Sequence, residues 1–151
     1  LGCWVAFIVV PREIIQFLIN RARPFIFTTA PPPGPAAAAQ AALTVIQQEP
    51  HRRARLWENR ERLFRGLQRL GFRMTETVSP ILPVLIGDAN TALAFSAHLL
   101  VNDVYAPPVR PPTVPRETSR VRVTVTSEHT AAHIDQALQA FESAGRALRL
   151  I

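Results

Sequence analysis

Apolar positions mark out the elements of this chain before any other feature does. Ala6 to Val10 is an uninterrupted apolar run closed by Pro11, the pattern of a buried strand. Arg12 to Arg21 follows with Ile14, Ile15, Phe17, Leu18 and Ile19 spaced for an amphipathic helix that packs these side chains inward. Pro24 is expected to stop that helix, and Phe25 to Thr29 reads as a short extended segment. The run Pro31-Pro32-Pro33 with Gly34 turns the chain into an alanine-rich helix, Ala36 to Gln47, which Pro50 ends.

A domain boundary is expected near Pro50. Beyond it, Leu56, Leu63, Leu67 and Leu70, with Trp57 and Phe64 beside them, recur at helical intervals and predict a helix from His51 to Leu70, closed by Gly71. Ile81 to Ile86 reads as a strand, Gly87-Asp88 as a turn and Asn90 to Val101 as a helix. Val104 to Val109 and Val121 to Val125 read as two further strands. In the second, Val121, Val123 and Val125 alternate with Arg122 and Thr124, so one face is apolar and the other polar. Thr130 to Leu148 sets Ile134, Leu138, Phe141 and Ala144 on one helical face, with Ser127 or Thr130 as its N-cap. That order predicts a small α+β domain whose helices cover one side of an antiparallel or mixed sheet.

Composition narrows the class. With 48% apolar and 19% charged residues, the 151-residue chain is globular rather than disordered, and long enough for one domain or for one small domain and part of another. Leu1-Gly2-Cys3-Trp4-Val5 enters the apolar run without a cap or polar leader, so the sequence is read as starting within a domain. The apolar stretch from Cys3 to Val10 is far shorter than the roughly 20 residues of a membrane span. It lacks the basic leader of a signal peptide. A single cysteine, Cys3, excludes an internal disulfide and fits a reducing, cytoplasmic setting.

Charge adds one positive and one negative statement. All 17 basic residues are arginines, so no lysine is present to attach an aldehyde cofactor through a side-chain amine. The net charge of +6, with eight arginines between His51 and Arg73, raises a nucleic-acid module as one reading. The leucine spacing opposes it by placing those arginines on a solvated helix face with Glu58 and Glu61. His51, His98, His129 and His133 do not form a metal set, and His129 and His133 are expected at a helix N-terminus.

Three stretches resemble one family. Arg21-Ala22-Arg23-Pro24-Phe25-Ile26-Phe27-Thr28-Thr29-Ala30 resembles the segment after the cofactor lysine in the α-oxoamine synthases. Arg110-Pro111-Pro112-Thr113-Val114-Pro115 is similar to the signature of the 8-amino-7-oxononanoate synthases within that group. Thr118 to Thr126, with Glu128-His129-Thr130 and His133-Ile134-Asp135, extends the likeness nearly end to end. The resemblance implies the pyridoxal-phosphate-dependent transferase fold of type I, an α/β large domain with an α+β small one. Residues 1–49 would be the end of the large domain and residues 50–151 the small C-terminal domain. The lysine is then expected two positions before Leu1, outside the sequence.

The same resemblance implies the chemistry. Family members are cytoplasmic homodimers of biotin biosynthesis that join L-alanine to a pimeloyl thioester, on coenzyme A or another carrier, with loss of carbon dioxide. Arg122 would hold the amino-acid carboxylate through two parallel charge-assisted bonds, while Arg120 shares its face without an implied role. Thr28 and Thr29 would reach the cofactor phosphate of the partner subunit, and Arg110 and Thr113 would contact the acyl substrate. A surface arginine, ordinary β-forming threonines and a structural ion pair are the plain readings of the same residues. Two other functions stay open: a glycine-using relative such as an aminoketobutyrate ligase or aminolaevulinate synthase, and a non-catalytic, lysine-less partner subunit. Trp4 stands where relatives carry small residues, and Pro31 and Gly34-Pro35 also differ. Asp103 and Glu117 replace glycines that are common there, which predicts strain in two turns.

Overall fold

The computed structural model describes residues 6–75 and 77–151, so the expectations placed on Leu1 to Val5, Trp4 included, lie outside the described residues. The chain divides into two compact units, Leu1–Pro50 and His51–Ile151.

The first unit holds three helices: α1, Arg12–Arg21; α2, Arg23–Ile26; and α3, Pro33–Gln48. None of them contains a buried residue. The expected strand at Ala6 to Val10 is irregular instead, with Phe7, Ile8 and Val9 exposed. A lone extended run cannot satisfy its backbone groups without a neighbouring strand, and the sheet found among the described residues lies wholly in the second unit. The inward packing expected of α1 is also corrected: Ile14, Phe17 and Ile19 are exposed, and only Ile15 and Leu18 are half-buried. A groove of about 440 Å³ runs between Phe7, Ile15, Leu18 and Phe25. Phe25 and Ile26, expected to be extended, belong to α2. Pro24 sits in the first turn of that helix, where its missing N–H costs nothing, so it opens a helix rather than ending one.

The second unit follows its sequence pattern closely. Its elements are α4, Pro50–Arg69; β1, Arg73–Met74; β2, Ile81–Gly87; α5, Ala89–Val101; β3, Pro108–Val109; β4, Ser119–Thr124; and α6, Ala131–Ala147. The sheet is antiparallel throughout, in the order β1-β2-β4-β3. Two details differ from expectation. The two-residue β1, paired through Arg73 to Leu85 and Met74 to Val84, has too little pattern to be legible. The strand expected over Val104 to Val109 shrinks to Pro108–Val109, because Pro107 and Pro108 supply no N–H to a ladder. Pro107 still contributes its carbonyl, which accepts from the backbone N of Arg122 at 2.9 Å.

The core lies between the sheet and its helices. Leu82, Val84, Val121 and Val123 point inward against Leu63 and Leu67 of α4, Phe95 and Leu99 of α5, and Ile134 and Phe141 of α6. Phe72, Phe95 and Phe141 meet edge to face, with ring centroids 5.5–5.7 Å apart. Gly66 lets α4 approach α6, since a Cβ there would stand 2.5 Å from Leu138 Cδ2. Gly71, at φ 98°, ends α4 in the left-handed region. Asp88 caps α5 by accepting from the Thr91 backbone N at 2.7 Å, and Thr130 caps α6.

Candidate substrate and cofactor site

Strand alternation decides which way β4 turns its side chains. Ser119, Val121 and Val123 are buried against the helices, while Arg122 and Thr124 are exposed and Arg120 is half-buried on the opposite face. The register sets Arg122 across from Pro83, Arg120 across from Leu85 and Thr124 across from Ile81. This open face therefore combines apolar β2 side chains with β4 guanidinium and hydroxyl groups. Arg120 is turned back locally, its Nε donating to the Thr118 carbonyl at 3.0 Å. Among the described residues no ion pair or side-chain hydrogen bond engages Arg122, so its guanidinium is available to an incoming carboxylate.

The connection from β3 to β4 places the proline-rich signature at one end of the same strand pair. Val109 pairs with Arg120, and Arg110 follows it immediately. Arg110 stands three positions, about 10 Å of extended chain, beyond Pro107, the backbone partner of Arg122. The turn is tied by the Thr113 backbone N donating to the Arg110 carbonyl at 3.0 Å. Its far end is tied by Thr118 Oγ1 donating to the Pro115 carbonyl at 2.8 Å. Arg110 and Thr113 are both exposed. Arg110 and Thr113 thus lie in the connection that leads from β3 into β4, the strand that carries Arg122. Thr28 and Thr29 lie in the first unit, exposed in the irregular stretch after α2, and among the described residues neither hydroxyl has a bonded partner.

Other side chains turn out to be framework. The arginines of α4, read as a solvated face, in part bind the connection between β4 and α6. Arg52 meets Glu128 at 2.8 Å, and Arg62 reaches both oxygens of Asp135 at 2.7 and 2.8 Å. Between them the Asn59 amide donates to the carbonyls of Thr126 and His129 at 3.1 and 2.7 Å. Sequence spacing could not reveal these pairings, because the partners stand about seventy positions apart and nothing local links them. Arg60 stacks over Phe64 at 4.5 Å and donates to the Thr77 carbonyl at 2.7 Å. Ser119 Oγ is buried without a partner among the described residues. Hydrogen bonding and charge from Arg65 lower the Glu61 pKa, bonds from Thr91 lower that of Asp88, and burial, then His133, lowers that of His129. Among the described residues no three His, Cys, Asp or Glu side chains group as a metal site, and no helix is long and apolar enough to cross a membrane.

The fold as a whole has clear counterparts. The aminotransferase class I and II model matches residues 1–141, and the chain belongs to that family, with the type I fold of pyridoxal-phosphate-dependent transferases. A 8-amino-7-oxononanoate synthase of Symbiobacterium thermophilum is 43% identical over 141 residues, 93% of this chain and 36% of its own length. A Thermus thermophilus relative named 8-amino-7-oxononanoate synthase/2-amino-3-ketobutyrate coenzyme A ligase is 44% identical, over 93% of this chain and 35% of that protein. Among solved structures, SPT with PLP superposes with a TM-score of 0.87 at 34% identity, over 93% of this chain and 36% of that one. The 8-amino-7-oxononanoate synthase of Francisella tularensis gives 0.77 at 27% identity, over 93% and 41%. The chain spans little more than a third of the length of these relatives.

Proposed function

We propose that this chain is the C-terminal part of a pyridoxal-phosphate-dependent acyltransferase that condenses L-alanine with a pimeloyl thioester, releasing carbon dioxide and forming 8-amino-7-oxononanoate for biotin synthesis. Residues 1–49 close the large cofactor domain and residues 50–151 form the small domain. The enzyme acts as a cytoplasmic homodimer. The observation that carries this reading is the Arg122 guanidinium, exposed on β4 next to the proline-rich connection and without a side-chain partner among the described residues.

The residues present fit the cofactor at its phosphate end and not at its aldehyde end. Thr28 and Thr29 are exposed and unbonded among the described residues, so their hydroxyls are free to donate to phosphate oxygens of the partner subunit's cofactor. The lysine that would anchor the aldehyde is not among these 151 residues. When bound, pyridoxal phosphate supplies an electron sink for the amino acid's α-carbon. Arg122 orients the substrate by gripping its carboxylate with two parallel N–H bonds, and Arg110 and Thr113 meet the acyl partner from the stiffened loop. A 2-amino-3-ketobutyrate ligase activity on glycine is the second reading, favoured by the double name of the Thermus thermophilus relative.

The test is kinetic. In the full-length enzyme, Arg122→Ala is expected to raise KM for L-alanine about thirtyfold or more, since truncating one partner of a bonded charge pair costs about 2–5 kcal/mol. Arg122→Lys should recover part of the loss, as a point charge without the planar fork. An unchanged KM in the alanine variant sinks the assignment, and a lower KM for glycine than for alanine in the unaltered enzyme selects the second reading.

A further inference from the structure

The loop from β4 into α6 is fastened by two imidazoles. His129 Nδ1 accepts from the Thr126 backbone N at 3.3 Å, closing the turn behind the strand. His133 Nδ1 accepts from the Thr130 backbone N at 3.3 Å, while Thr130 Oγ1 accepts from the His133 backbone N at 3.3 Å. That reciprocal pair is a capping box, in which the third helical residue is ordinarily Glu or Gln, an acceptor that persists near neutral pH. A ring nitrogen accepts only while it carries no proton, so both rings must be neutral with their protons on Nε2. We propose that His129 and His133 form an acid-sensitive latch on the β4–α6 connection, closed when both imidazoles are neutral and released when they are protonated.

The surroundings of His129 favour its neutral state. The rings lie edge to face with centroids 6.2 Å apart, so two imidazolium charges would repel. His129 also directly precedes the N-cap of α6, whose dipole disfavours a cation there. On the loop and on α6, the carboxylates of Glu128 and Asp135 are engaged by Arg52, Arg55 and Arg62 of α4. From the segment between α5 and β3, Asp103 and Tyr105 line the same groove as both rings, and β4 adds Thr124. Burial, and then the neighbouring His133, lowers the His129 pKa from its ordinary 6.5. A base whose folded pKa is depressed adds stability that is complete above the unfolded value and is lost as pH falls from there through the folded value. The Asn59 bonds go to carbonyls and do not titrate in this range, so acid frees the N–H side of the loop while α4 keeps hold of its C=O side. The release is therefore local.

Hydrogen exchange on the full chain tests this, and it does not depend on the enzymatic reading. Between about pH 8 and about pH 5.5, protection of the Thr126 and Thr130 amides should fall about tenfold after correction for intrinsic rates, with α5 unchanged as internal control. The double variant His129→Asn, His133→Gln keeps acceptors at both places without a titrating group and should keep its protection. Equal loss in both proteins, or no loss in the unaltered one, overturns the latch. If the variant does not fold, ring-nitrogen NMR of the unaltered chain decides. Nδ1 protonation should coincide with the loss of protection, and amides that stay protected beside two charged rings refute the proposal.

Discussion

Glu117 and Asp103 hold φ of 60°, the left-handed region that costs an L-residue roughly 1–2 kcal/mol and a glycine nothing. Both bracket the candidate site: Asp103 follows α5 and Glu117 precedes β4. Glu117→Gly is expected to raise stability by about 1 kcal/mol in urea unfolding, because relief of the Cβ clash exceeds the added entropy of the unfolded chain. A loss of stability would show that the Glu117 side chain contributes something its backbone geometry conceals. Asp103→Gly should gain less, since Asp tolerates this conformation better than Glu. These two strained turns were legible in the sequence, where Asp103 and Glu117 stand in place of common glycines. So was the outward aim of Arg122, which strand alternation alone determines. The imidazole bonds were not legible. Placing His129 and His133 near a helix start says nothing of whether their Nδ1 atoms meet a backbone N–H.

At the scale of elements, legibility follows from whether a pattern is completed nearby. α4, β2, α5, β4 and α6 each carry an apolar stripe that meets the others within the second unit, so periodicity and packing agree. Ala6 to Val10 and α1 carry equally strong apolar patterns, but their side chains find little to cover them among the described residues, and local conformation departs from the pattern. Apolar spacing reports what a segment prefers to bury, and a strand also needs a partner for its backbone. A second close approach brings α6 against the segment after α4. A Cβ on Gly145 would stand 2.7 Å from Phe72 Cζ and 2.8 Å from Ile151 Cγ1. Phe72 is locked by its edge contacts to Phe95 and Phe141, so it cannot yield freely. Gly145→Ala should therefore destabilise by about 1–3 kcal/mol despite the better helix propensity of alanine, read from the shift of the urea midpoint. A neutral or stabilising result would mean that the aromatic cluster repacks at no cost.

For the molecule as a whole, the same contrast separates the two units. Every residue of the buried cluster lies between Leu63 and Ala144, and the side chains packed around it begin at Leu56. The ion pairs that tie α4 to the β4–α6 connection also lie within this range, apart from Arg52 and Arg55 just before it. A segment of about a hundred residues with one contiguous core is large enough to fold by itself. The first unit has none of these features, since its helices bury no residue and Phe7, Phe17, Phe25 and Phe27 are exposed. Residues 50–151, produced alone, should therefore unfold in one cooperative transition, with coincident near- and far-UV circular dichroism and no binding of a hydrophobic dye. Residues 1–49 alone should show neither cooperativity nor near-UV signal. Dye binding by the 50–151 segment, or separate transitions by the two probes, would mean that its core is completed from outside it. The open face bearing Arg122 would then depend on contacts from outside the unit that displays it here.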